Sequence, residues 1–212
     1  MLNALHELLA EIYDLEVSYD IDEFLVTDAS VAAALDVNGR RVEEKLLIAE
    51  GAGHAEVSLY LERGLVDRLE AHDPSDRLDA RNLADFWTAF EGVSHFAYYA
   101  WNAEIGKAVR LLEMELQAEV DKFIGTRMLL ERQGERPPPS LHAWLFDLPR
   151  YDEQLSSREL TRYRHANRYA AKYCMKLAPA LDRRTERDSV ERELRQFYRL
   201  TQPEKIKHID SR

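Results

Sequence analysis

The sequence predicts an α+β fold: a small antiparallel β unit, with a hairpin over about 43–62, packed on a mainly α-helical bundle. Three observations predict it. The stretch His54–Leu61 alternates strictly, with Ala55, Val57, Leu59 and Leu61 on one side and His54, Glu56, Ser58 and Tyr60 on the other, the period of a strand. From Gly64 onward the apolar residues recur at three and four, the period of a helix. Helix-start pairs then punctuate the C-terminal third, beginning with Ser156 and Glu159.

The elements follow in chain order. Leu2, Leu5, Leu8, Leu9 and Ile12 form the apolar stripe of a first, acidic helix. A secretory signal would have a basic start and a continuous apolar run, so this stretch is not read as one. The segment 17–28 reads as a short strand region, 29–35 as a short helix, and Asp36–Gly39 as an Asn-Gly turn. Strands over about 43–50 and 54–62 pair around Gly51-Ala52-Gly53. A helix there would carry two interior glycines, at about 1 kcal/mol each relative to Ala. A short helix follows Gly64, and Asp73-Pro74-Ser75 breaks the chain.

A long helix then carries Leu83, Phe86, Phe90, Val93, Ala97 and Trp101 on one stripe. Phe96 points away from that stripe, either to another layer or to a partner. After Gly106 comes a helix apolar on two sides, the mark of a central bundle element. The triple proline Pro137–Pro139 is the clearest break. A helix starts after Ser156, another at Asp188 with Glu191, and a last one at Thr201 with Glu204. The chain divides into 1–70, helix plus β unit, and 71–212, the helical bundle, in one compact unit.

Charge is distributed unevenly. The chain of 212 residues has 29 Lys+Arg and 39 Asp+Glu, a net charge of −10, yet 15 of the cations and only 8 of the acids lie at 158–212. Arg158, Arg162, His165, Tyr169, Lys172 and Lys176 fall within roughly 80° of one another on one helix. Arg168 joins them as an anion-binding candidate. The stripe is suited to negative charge: the protein's own acidic body or an acidic partner protein first, nucleic acid or a phosphate ligand second, since a net acidic chain repels phosphates. No stretch is long and apolar enough to span a membrane, so no membrane partner is expected and a cytoplasmic location is read. The single cysteine, Cys174, lies on the apolar side of the same helix and reads as a small buried hydrophobe.

Candidate chemistry is confined to a polar pocket. Glu91, His95 and Asn102 share a flank of the long helix, and Glu113 and Glu119 sit beside the apolar stripe of the next. Antiparallel packing would bring carboxylates and an imidazole together. The Glu-x-x-His pair of carboxylate-bridged metal bundles is missing, as is H-E-x-x-H. No metal and no cofactor is therefore expected, and Glu91 and His95 are expected to pair with each other one turn apart. Phosphate-loop, nucleophile-elbow and C-x-x-C patterns are absent. The leading expectation is a non-catalytic interaction or regulatory protein acting through the basic helix. The alternatives are a nucleic-acid or phosphate binder and a helical-bundle enzyme built on the carboxylate–His pocket.

Overall fold

The computed structural model describes residues 1–16, 19–35, 42–51, 54–149 and 151–211. The predicted turn Asp36–Gly39 lies outside them, as does the tip of the hairpin at 52–53. Helix α1 (Leu2–Tyr13) leads through a 3-10 turn (Ile21–Phe24) into a two-residue strand β1 (Leu25–Val26) and helix α2 (Ala29–Leu35). The hairpin β2 (Glu44–Gly51) and β3 (His54–Leu61) follows, then α3 (Arg63–Ala71), α4 (Leu83–Glu104), α5 (Leu111–Arg132) and α6 (Leu141–Phe146). Helix α7 (Ser157–Leu181) carries the basic stripe, and α8 (Arg187–Arg199) and α9 (Gln202–Ser211) close the described chain. The α+β architecture is thus the one the sequence predicts, a small sheet leaning on a helical bundle.

Two details of the β unit differ from expectation. The sheet is mixed, in the order β1-β3-β2, because β1 pairs parallel to β3 through Leu25↔Leu59 and Val26↔Tyr60. Two residues are too short to show a period in sequence. The outer face is also not fully solvated: Tyr60 and Leu47 are buried with Ala32 of α2. The hairpin register is antiparallel, with Glu44↔Leu61, Leu46↔Leu59 and Ile48↔Val57. Directly opposed residues project to one face, so Glu44 stands on the same face as the fully buried Leu59 and Leu61.

The helix boundaries follow local chemistry. Ser156 and Glu159 form the reciprocal capping box that opens α7. The Thr201 hydroxyl and amide both donate to Glu204 at the start of α9. Helix α8 starts earlier than expected, directly after a 3-10 turn at Arg184–Glu186, so Asp188 lies inside its first turn rather than capping it. Helix α5 begins at Leu111, later than the expected start after Gly106, and ends before Gly134, whose φ is 77°. The main core gathers Leu5, Leu9, Phe86, Phe90, Val120, Phe123, Ala170, Leu194 and Ile209 from α1, α4, α5, α7, α8 and α9. Phe96 resolves toward another layer, packing on His6, Tyr19 and Phe24. Arg199 of α8 donates to the carbonyls of Tyr13 and Asp14 and so satisfies the C-terminus of α1. Among the described residues no helix is long and apolar enough to cross a membrane.

Candidate functional site

Helices α4 and α5 pack antiparallel, since Trp87 bonds Thr126, Glu91 bonds Lys122 and Ser94 bonds Asp121. Two glycines permit the close layering. A methyl on Gly125 would overlap the ring of Phe90. A methyl on Gly92 would stand 2.7 Å from Glu44 Cγ and 2.8 Å from Leu59 Cδ1. The sheet therefore lies directly on α4, one residue from Glu91, and Glu44 is delivered beside His95.

The result is a buried carboxylate–imidazole cluster. His95 Nδ1 is 3.4 Å from Glu44 Oε1, and its Nε2 is 3.5 Å from Glu115 Oε2. Nε2 is buried and makes no hydrogen bond, the Glu115 contact being a close approach without bonding geometry. Glu115 is held from α7 by Arg162, Nε to Oε1 at 3.3 Å. Beside them Lys122 donates to Glu91 Oε2 at 2.7 Å and to Glu119 Oε1 at 2.9 Å. One donor atom each from Glu91, His95 and Glu115 lie within 4.8 Å of one another. Glu91, Glu119 and Arg162 form the more solvent-exposed rim, with side-chain exposures of 25%, 17% and 20% against 7% for His95.

Charge inside the cluster is out of balance. Glu44, Glu91, Glu115 and Glu119 face two permanent cations, Lys122 and Arg162. Burial pushes the Glu44 and Glu119 carboxyls up, and the neighbouring carboxylates push them further. Glu91 moves down: burial opposes its ionisation, but the Lys122 ammonium and His95 outweigh it. His95 is raised well above an ordinary histidine: burial opposes its charge, but the Glu115 and Glu44 carboxylates on either side of the ring outweigh it. Tyr163 on α7 is pushed up by burial and by Glu115, Glu91 and Glu44, so it too feels the cluster.

The expected pocket thus forms in part. Glu91, His95 and Glu119 come together. Asn102 does not join them and donates to the carbonyl of Tyr98. Glu113 faces elsewhere, accepting from Tyr98 Oη at 2.6 Å and Lys107 at 3.2 Å. Helical geometry explains the split: Glu113 and Glu115 are about 200° apart on α5, and only Glu115 shares the side of Glu119 and Lys122. The expected Glu91–His95 pair is replaced, His95 turning to Glu44 and Glu115 while Glu91 turns to Lys122. The missed members are Glu44, Glu115 and Lys122, and the inward direction of Arg162.

The basic stripe is partly used within the chain. Arg162 turns into the cluster, Lys172 donates to Asp210 at 2.7 Å, and Lys176 donates to the carbonyl of Ile209 at 2.7 Å. Arg158, His165 and Arg168 are exposed, and Arg168 lies over the half-buried Tyr169 ring at 5.1 Å. Cys174 is fully buried, and burial pushes its thiol well up.

A second polar network lies deeper and was not legible in sequence. Asp121 accepts from Tyr13 Oη, Gln117 Nε2 and Ser94 Oγ, and burial pushes it up to about 6. Lys205 of α9, fully buried, donates to Gln117 Oε1 at 2.5 Å and lies 4.3 Å over the ring of Phe197 and 5.0 Å over Tyr98. Burial lowers its ammonium to about 7. Comparison with known protein families, with characterised proteins and with solved structures returned no match.

Proposed function

We propose that the protein is a helical-bundle enzyme whose reaction takes place at the cluster of Glu44, Glu91, His95, Glu115 and Glu119. The observation that carries this reading is the buried His95 set between two carboxylates from different elements, with Nε2 left without a hydrogen bond. Buried ionic groups cost stability unless fully paired, so an incompletely satisfied set of this size is poorly explained as scaffolding. Several perturbed acids and bases together are also the mark of proton-transfer or hydrolytic chemistry. In this reading the carboxylates act as proton acceptors, His95 is the central group they surround, and Arg162 and Tyr163 at the rim meet a small polar substrate. The test is turnover of a panel of chromogenic esters, phosphoesters and glycosides. An activity that falls at least about 100-fold in His95→Gln supports the reading. No turnover, together with lost stability when Glu44, His95 and Glu115 are replaced by leucine, would leave the cluster as a structural ion network.

A second reading keeps the basic helix as a docking surface for an acidic protein, with nucleic acid less favoured on net charge. The exposure of Arg158, His165 and Arg168 supports it. The ties of Arg162, Lys172 and Lys176 within the chain weigh against it. Charge reversal at Arg158 and Arg168 should abolish a salt-sensitive affinity if it holds.

A further inference from the structure

We propose that the cluster binds one divalent transition-metal ion, held by His95 Nε2 and by carboxylate oxygens of Glu91 and Glu115. This rests on the reading that the cluster is the working site and names the cofactor class that completes it. The expectation from sequence was the opposite, because the Glu-x-x-His spacing is missing. The structure supplies the second carboxylate from the neighbouring helix instead, through Glu115.

Three independent observations point to a cation. The first is the setting of His95 between two carboxylates. When Nδ1 donates to Glu44, the neutral ring presents a lone pair at Nε2, with a carboxylate oxygen 3.5 Å away. A lone pair facing a carboxylate is repulsive unless a proton or a metal ion lies between them. The carboxylate–imidazole–metal relay is the arrangement that fixes a histidine ligand from its second nitrogen, and here Glu44 takes the outer position. The second is spacing. One donor atom from each of Glu91, His95 and Glu115 lies within 4.8 Å of the other two, and donors sharing a metal at about 2.1 Å stand roughly 3–4 Å apart. Small side-chain rotations close that gap. The third is charge: the carboxylates outnumber the permanent cations by two, the deficit a divalent ion fills beside a neutral imidazole.

The chemistry of the donors selects the ion. One imidazole nitrogen with carboxylate oxygens suits zinc, manganese or ferrous iron, while the harder magnesium and calcium prefer all-oxygen shells. Access runs from the rim, where Glu91 is the most exposed ligand. Lys122 holds Glu91 and Glu119 through a hydrogen bond to each.

The experiment is metal titration of the full chain with Zn²⁺ and Mn²⁺ by calorimetry, alongside elemental analysis of protein purified without chelator. One ion per chain is expected. Binding should be lost in His95→Ala and weakened about 10- to 100-fold in Glu44→Gln, the outer-shell variant. Glu113→Gln, whose carboxylate faces the other network, should bind as the wild type does. No uptake by folded wild-type protein, or equal uptake by His95→Ala, overturns the proposal. Should His95→Ala fail to fold, pulsed electron paramagnetic resonance of Mn²⁺ on wild-type protein decides, since coupling to one imidazole nitrogen is expected and its absence overturns the site. None of these readouts uses turnover, so an active protein without metal would refute the ion alone and leave the acid–base reading standing.

Discussion

Glu44 Oε1 lies 3.4 Å from His95 Nδ1, joining the first residue of a strand to the middle of a helix 51 positions later. The contact exists because β2 sits on α4 at Gly92, where there is no side chain to hold the layers apart. Sheet and bundle are therefore coupled at the cluster itself, and changes to the layering should be felt by the imidazole.

Gly92→Ala and Gly125→Ala test that coupling. Alanine gains about 1 kcal/mol of helix propensity over glycine, but overpacking costs about 1–3 kcal/mol. Gly125 faces the rigid ring of Phe90, so the loss should be larger there than at Gly92, where Glu44 and a Leu59 methyl can shift. Chemical denaturation gives the order. Only Gly92→Ala should also move the His95 ring signals in an NMR spectrum.

Lys205 should make stability depend on alkaline pH. The unfolded chain holds this proton to about pH 10.5, whereas the folded chain releases it near 7 because burial disfavours the ammonium. Between those values the unfolded state binds more protons, so stability rises with pH. Below about pH 7 both states are protonated and the burial cost is fully present. Asp121 and Glu113 oppose the shift and Lys107 adds to it. The wild type should gain at least about 2 kcal/mol relative to Lys205→Met from pH 7 to 10, read as the difference between two denaturation series. Parallel profiles would show that Lys205 keeps its charge in the core.

Reversing charge on the basic helix should separate two kinds of cation. Arg162→Glu places a carboxylate beside Glu115, which is 6% exposed, and should cost at least about 2 kcal/mol. Lys172→Glu breaks a bond to Asp210 at the surface, where ion pairs contribute little, and should leave melting close to wild type. Equal effects would mean that Arg162 is no more part of the interior than Lys172.

Cys174 should be inert in the native protein. Its thiol is buried and held in the neutral form by that burial, with the charges of Glu119 and Asp121 adding to the effect. Reaction with a thiol reagent should appear only with unfolding, at a rate set by denaturant. Rapid labelling of folded protein would show that α7 leaves the bundle easily.

Local signals carried most of the architecture. The alternation of 54–61, the periods of α4 and α5, and the Ser156–Glu159 box each operate over a few residues, and each produced its element. The site depends on longer connections. Glu91, His95 and Glu119 are legible because two helices share one hairpin. Glu44 was hidden, although it lies in step with Leu46 on the face of the buried Leu59 and Leu61, a period-2 signal masked by its charge. Choosing Glu113 over Glu115 was a matter of which side of α5 meets α4, and the apolar residues on both sides left that open. Lys205 gave no sign at all, since an isolated lysine in a short polar helix ordinarily faces water.

The burial of Lys205 and Ile209 also bears on how the chain is made. Synthesis runs from α1 to α9, yet α1 supplies Tyr13 to a network that α9 completes. A ribosome that has released only the first 200 residues presents Tyr98, Phe197 and Gln117 with no ammonium above them. Until α9 emerges, the nascent bundle has an open aromatic seam, and that seam is where a chaperone would be expected to bind.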